Sequence, residues 1–310
     1  MHRKSILLAS AAFGCLLITA CGGGGDSSPT PTPTPTSTAT PTPTPTPTPT
    51  QAPVDFDFTK AFTTQVTNAS YVFAYFKPTS GDETWSDGSR RDGTSEIVYA
   101  VAPESVAYDW PDPFEIPSFV AADLDSASDV LRVYRKGSDV LRMELPFEHV
   151  LRVSYQHAQS YVLDTVPGTL RSFRYALFFN PVTTTDAISA NLTYTGTAQV
   201  TGGTSGTTAA GVYFASATDL VVTASDKKIT GKIRIFETVN GSPVERAALP
   251  FSATIGSSGY FSGVSDDTTY GFKGGFAGTL AGPNREEAFL IFDVLDEDGA
   301  EFIGSLIAGR

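Results

Sequence analysis

The chain has 310 residues, 41% of them apolar, which is room for one or two domains with a sizeable core. Its net charge is −12 and its isoelectric point about 4.6. An acidic chain is repelled by phosphate backbones, so nucleic acid is excluded as a partner and a basic or polar partner fits better, although plain solubility is the simpler use of the acidity.

The N-terminus reads as a targeting segment. His2-Arg3-Lys4 is positive, and Ile6 to Ile18 is an apolar run too short to span a bilayer comfortably. Leu17-Ile18-Thr19-Ala20-Cys21 then resembles the bacterial lipobox. That resemblance implies a signal peptide over residues 1–20, cleavage before Cys21, and lipid (palmitate) at that residue. A plain signal peptide with an incidental cysteine is the alternative. Gly22 lacks the aspartate that, by the same resemblance, would retain a lipoprotein at the inner membrane. The expected location is therefore the outer membrane, with a surface-exposed globular part. Cys15 leaves with the signal and Cys21 becomes the anchor, so neither disulfide nor thiol nucleophile is expected in the mature fold. No later stretch is apolar enough to cross a membrane as a helix, which leaves lipid as the attachment.

Residues 21–53 form the anchor and a disordered linker. Pro29 to Thr50 is nearly pure Pro-Thr repeat. It cannot bury a core, and in polyproline II it would reach about 70 Å as a semi-rigid stalk.

Residues 54–190 are expected to form a β-rich handle domain. Val54, Phe56 and Phe58 alternate with Asp55 and Asp57 as a candidate short strand. Tyr71 to Phe76 is a strand apolar on both faces, and Ile97 to Val101 is another. Lys77 to Thr94 reads as a long polar loop carrying Trp85, Arg90 and Arg91; Tyr108 to Ser118 reads as an aromatic, acidic, Pro-rich loop carrying Trp110 and Phe114. Val-Leu-Arg recurs at residues 130, 140 and 150, which predicts a meander of short strands joined by turns. Tyr161 to Leu163 and Phe173 to Phe179 continue the β pattern, and no long helical period occurs after residue 54.

From residue 191 to 310 the alternation becomes regular. Leu192 to Val200, Val212 to Thr223, Ile229 to Ile235, Ala247 to Ile255 and Gly259 to Val264 each read as a strand. In the next, Tyr270, Phe272, Gly274, Phe276, Gly278 and Leu280 share one face. Aromatic residues alternating with glycine suit the inside of a strongly curved sheet, where glycine makes room for a neighbour's ring. Gly282-Pro283-Asn284 ends that strand. Glu287 to Leu295 and Phe302 to Ala308 follow, with Asn240-Gly241 and Asp298-Gly299 as hairpin turns. Eight consecutive strands with short turns predict a small antiparallel up-and-down barrel, so the fold class is all-β.

The run Gly274-x-Phe276-x-Gly278-x-Leu280-Ala281-Gly282-Pro283, followed by Glu287, resembles the signature of the transferrin-binding protein B family. Tyr194-x-Gly196, Leu220-x-Val222 and Ile229-x-Gly231 resemble its earlier barrel strands. Two positions depart from the family pattern: Leu280-Ala281 stands where Phe-Tyr is usual, and Phe289-Leu290 where a glycine pair is. The resemblance covers about 120 residues and implies a lipid-anchored surface protein with a handle domain before an eight-stranded barrel. It further implies a binding module for a protein, an iron or haem carrier, or haem itself. A structural or adhesive envelope lipoprotein without a small ligand is the alternative.

No catalytic set stands out, and an enzyme is not expected. The signature glycines are followed by neither Lys-Ser/Thr nor a helix, so they make no phosphate loop. Gly-x-Ser-x-Gly is absent, and no carboxylate pair is singled out for glycoside hydrolysis. His149 and His157 default to partly exposed sheet histidines, with haem or metal ligation as the alternative. Asp123, Asp125 and Asp129 lack the glycine and closing glutamate of a calcium loop, and Asp293, Asp296, Glu297 and Asp298 read as solubilising charges around a hairpin. No resident metal or cofactor is expected. The binding candidates are Trp85, Arg90, Arg91, Tyr108, Trp110 and Phe114, since aromatic and arginine side chains on loops held by a rigid sheet make interface anchors. The competing reading folds each tryptophan back onto the handle core.

Overall fold

A computed structural model describes residues 53–310. The signal segment, Cys21 and the whole Pro-Thr tract lie outside the described residues. The described residues form one compact unit.

The first half holds strands β1 (Phe62–Thr67), β2 (Ser70–Pro78), β3 (Thr84–Arg91), β4 (Thr94–Val101), β5 (Glu104–Asp109), β6 (Phe119–Val120), β7 (Leu124–Ser128), β8 (Leu131–Lys136), β9 (Asp139–Glu144), β10 (Val150–Leu163) and β11 (Val166–Phe179). They make two antiparallel sheets, a four-stranded one in the order β1-β4-β5-β6 and a seven-stranded one in the order β3-β2-β11-β10-β9-β8-β7. The sheets pack face to face. Ile97, Tyr99, Val106 and Tyr108 come from the small sheet, and Leu141, Met143, Val153, Tyr155, Ala176 and Phe178 from the large one. Each set is spaced by two, as a strand's alternating side chains require. The repeated Val-Leu-Arg segments fall on β8, β9 and β10, which pair in sequence, with Gly137 turning at φ +63°.

Two expectations change here. Val54 to Phe58 is not a strand, although Phe56 and Phe58 are buried as the alternation predicts. No neighbouring chain pairs with it; the Val54 N–H donates instead to Asn180 Oδ1 at 2.6 Å. The polar stretch after Lys77 is not one long loop, because Thr84–Arg91 is strand β3, paired with β2 from Ser70↔Arg91 to Phe76↔Thr84.

The second half forms the barrel: β12 (Leu192–Thr197), β13 (Gln199–Thr204), β14 (Tyr213–Ala215), β15 (Ala217–Thr223), β16 (Lys228–Val239), β17 (Ser242–Thr254), β18 (Tyr260–Asp267), β19 (Phe272–Ala281), β20 (Glu287–Leu295) and β21 (Ala300–Gly309). The first predicted strand is broken at Ala198 into β12 and β13, which both pair with β21. The second is broken at Ser216 into β14 and β15, which both pair with β16. Eight staves thus run up and down, with β21 returning to β12. Among the described residues no ladder joins β17 to β18; the two lie side by side, with the Ala248 N–H donating to Asp267 Oδ2 at 2.6 Å. Asn240 and Gly241 both take positive φ, 51° and 79°, which a tight hairpin between β16 and β17 needs.

Phe272, Phe276 and Leu280 of β19 point into the barrel with Phe251, Phe292 and Phe302. Tyr270 does not join them. It sits in the turn before β19, 37% exposed, because Gly271 at φ +83° redirects the chain. The glycines meet the packing expectation. A Cβ on Gly278 would lie 2.1 Å from the Phe289 carbonyl oxygen and 2.7 Å from the Phe261 ring, and a Cβ on Gly263 would lie 2.8 Å from the Phe276 ring. Each ring occupies the space its cross-strand glycine leaves open.

β20 and β21 lose the alternation of a half-exposed strand and are buried almost end to end. Leu290, Phe292, Val294, Phe302 and Leu306 face the barrel interior, while Phe289, Ile291, Ile303 and Ile307 pack on the seven-stranded sheet. Burial on both faces explains the unbroken apolar runs in the sequence. The turn after β19 locks the halves together. The Gly282 N–H donates to Asn180 O (2.9 Å), the Asn180 N–H to His149 O (2.9 Å), and the His149 N–H to the buried Glu287 carboxylate (2.6 Å).

Candidate functional site

The six side chains expected to bind divide into two groups. Arg91, Tyr108, Trp110 and Phe114 gather on the sandwich, while Trp85 and Arg90 lie against the barrel.

In the first group Tyr108 lies within strand β5, one residue before its end, rather than opening a loop, and is 5% exposed with its ring edge on Phe178. Trp110 is 2% exposed and donates its indole N–H to Tyr175 O at 3.3 Å. These two rings are used by the core. Phe114 is only half-buried. Its ring lies 5.2 Å edge-on from the His157 ring and 6.1 Å from Tyr155. The cation that unites the group is Arg174 of β11, whose guanidinium sits 3.9 Å over the Phe114 ring and 5.7 Å over Trp110. Its Nε has no hydrogen-bond partner, and burial holds its pKa below the usual arginine range. Asp112 supplies the nearest compensation in the loop and also pairs with Arg91 at 3.4 Å. Arg174 was missed in the sequence, where the signal was a charged residue inside the otherwise apolar run Phe173 to Phe179. His157, whose Nδ1 is 2.7 Å from Asp139 Oδ1, borders the same patch.

Beside Phe114 runs a groove of about 220 Å³ lined by Glu96, Val98, Ala107, Tyr108, Asp109, Phe114, Glu115 and Ile116. Its floor is apolar and its rim carries three carboxylates. No cationic side chain lines it, so the groove favours a partner that brings positive charge and an apolar anchor.

In the second group Trp85 is 1% exposed. Its ring packs 6.0 Å from Phe73 and edge-on to Tyr75 at 5.5 Å. Its backbone ties β3 to the barrel's 205–212 connection: the Trp85 N–H donates to Thr208 O (2.6 Å) and the Gly206 N–H to Trp85 O (2.8 Å). Arg90 faces the carboxyls at the seam. Asp293, expected at a solvated hairpin, instead lies there with Glu301, which is 9% exposed. Burial first, then the Asp293 and Asp87 charges, raises Glu301 to about 8, and the contact between the two carboxyls favours the proton on Glu301. Burial also raises Asp293, against the pull of Arg90. A carboxyl pair sharing one hydrogen bond inside a seam lacks the separation of about 5–10 Å that glycoside hydrolysis uses.

A third feature lies between the halves. A cleft of about 390 Å³ opens where the seven-stranded sheet meets the broken first strands of the barrel. Tyr71, Phe73 and Tyr175 form one wall, and residues 197–201 and 213–215 the other.

No family model and no curated protein matches the sequence. Among solved structures the chain is similar to the isotype 1 transferrin binding protein B of serogroup B Neisseria meningitidis, with TM-score 0.41 and 14% identity over 77% of this chain and 43% of that one. It is also similar to two mutants of the transferrin binding protein B vaccine antigen from Haemophilus parasuis Hp5. One has TM-score 0.40 and 12% identity over 81% of this chain and 61% of that one. The other has TM-score 0.35 and 14% identity over 74% and 54%. The chain spans about half the length of these structures.

Proposed function

We propose that this chain is a non-enzymatic binding module, held at the outer membrane by lipid on Cys21 and set off from it by the Pro-Thr stalk, which receives a protein partner on its handle. The observation that carries the reading is the half-buried Phe114 beside an acidic-rimmed groove with an apolar floor. Such a surface suits a basic segment with one apolar side chain inserted between Val98, Ala107 and Ile116. Residues 54–190 and 191–310 serve as handle and barrel. The barrel, whose outer wall is buried on the seven-stranded sheet, holds the handle rigid. The lipobox-like run and the stalk support the anchored, surface-exposed placement, and the transferrin-binding protein B signature supports an iron-carrier protein as the class of partner.

The test is retention of protein from host serum and from envelope extract by immobilised residues 49–310. The reading expects a band that Phe114→Ala weakens at least about tenfold and that Asp109→Lys with Glu115→Lys abolishes, while Tyr270→Ala leaves it unchanged. Equal retention by all variants, or none by the unaltered chain, overturns it. Haem is the alternative ligand. At either described histidine iron would take Nε2, since His157 Nδ1 pairs with Asp139 and His149 Nδ1 lies 3.4 Å from Asn180 Nδ2. A Soret shift on adding haem decides that branch.

A further inference from the structure

The cleft between sandwich and barrel has features that packing alone does not require. β13 pairs with β21 and β14 pairs with β16, but among the described residues no ladder joins β13 to β14. Their facing backbone edges are left without strand partners at residues 199–201 and 213–215, which line the cleft. The cause is visible in the chain. The 205–212 connection between the two strands is drawn to the sandwich by the Trp85 backbone and by the Thr84↔Ala209 bridge, so the strands splay. Opposite this slit the seven-stranded sheet presents a ladder of rings. Tyr71 stacks on Tyr175 at 4.8 Å with 8° between planes, and Phe73 on Phe173 at 4.8 Å. Tyr175 is only half-buried, and Phe214 at the other side is 42% exposed.

We propose that this cleft binds an uncharged carbohydrate. No carboxylate, lysine, arginine or histidine lines it. The groups present are the half-buried Tyr175 ring, the exposed Gln199 amide, the Thr201 hydroxyl, which already bonds the Tyr75 hydroxyl, and the strand edges at 199–201 and 213–215. Aromatic rings accept the apolar face of a sugar ring, while amides, hydroxyls and backbone N–H and C=O groups match its alternating donors and acceptors. A charged ligand would be desolvated there without a counter-charge. The volume lies at the lower end of ligand sites, room for one or two sugar rings. The site is separate from the Phe114 groove, so it can fail while the partner-binding reading stands.

The protein has two tryptophans, so Trp110→Phe leaves Trp85, stacked on the cleft's Phe73 wall, as sole indole reporter. Residues 49–310 carrying that change are titrated with maltotriose, cellotriose, N-acetylchitotriose and galactotriose. The proposal expects one of them to shift Trp85 emission with a midpoint below 10 mM. It further expects Tyr175→Ala and Gln199→Ala each to weaken binding about tenfold, and Phe114→Ala to leave it unchanged. Gln199 is exposed, so its variant carries the test if Tyr175→Ala fails to fold. No response to any of the four, preference for a sialylated or sulfated sugar, or affinity unmoved by Gln199→Ala overturns the proposal.

Discussion

Replacing Glu301 with glutamine should make the protein more stable at neutral and alkaline pH. Glu301 is 9% exposed at the seam, beside Asp293 and Asp87, with Arg90 the cation facing the group. Its folded-state pKa, about 8, lies above the ordinary 4.5. An acid whose pKa is raised on folding contributes stability that is full below pH 4.5 and is lost as pH climbs to about 8. At 1.36 kcal/mol per pH unit the whole interval would be worth about 5 kcal/mol, and screening at the solvent-facing rim reduces this to about 2–3. Glutamine keeps the shape and can still donate to Asp293, but has no proton to lose. Urea unfolding of residues 49–310 from pH 5 to 9 should therefore give curves for the two proteins that agree near pH 5 and separate by about 2–3 kcal/mol by pH 9, with the variant higher. Parallel curves, or a natural protein whose stability rises between pH 6 and 9, would refute a shared proton at the seam.

Three other predictions follow from packing. Gly278→Val should cost more than about 3 kcal/mol, because its Cβ would strike the Phe289 carbonyl and the Phe261 ring; Gly256→Ala, with only an ordinary 3.4 Å contact, should fall within about 0.5 kcal/mol, both read by thermal denaturation. Trp85→Ala should cost about 3–5 kcal/mol and free the 205–212 connection, which hydrogen exchange at the Gly206 amide would report as lost protection. Arg174→Met should stay within about 1 kcal/mol of the natural protein in urea, since losing the stacking on Phe114 is offset by no longer burying a charge whose Nε lacks a partner; a loss above 3 kcal/mol would contradict this.

The barrel was legible because its strands carry their own evidence. Period-two alternation, the Asn240-Gly241 turn and the aromatic-glycine face of β19 are local features, and each matches an observed strand or turn. What escaped was set by distant partners. β3 reads Thr-Trp-Ser-Asp-Gly-Ser-Arg-Arg and buries only Trp85, so no apolar period marks it; pairing with β2 makes it a strand. The breaks at Ala198 and Ser216 have the same origin, since the chain between them is held by Trp85, more than 110 positions away. Tryptophan and tyrosine in Pro-rich sequence suggested exposed anchors, but Trp110 and Tyr108 are buried against the larger sheet, and Phe114 alone of those aromatic residues keeps an open face. Arg174, which organises that patch, sat unnoticed in an apolar strand because its neighbours come from a loop some sixty positions earlier.

The central claim is that the Phe114 face of the handle meets a partner protein. A photo-reactive benzoylphenylalanine placed at position 114 of the lipidated chain on intact cells tests it, with the same group at Tyr270 on the barrel's outer turn as reference. The account predicts a discrete cross-linked protein adduct from position 114, lost when Asp109 and Glu115 are changed to lysine, and none from position 270. Cross-linking from position 270 alone, or adducts at both positions that survive the charge reversal, would contradict it.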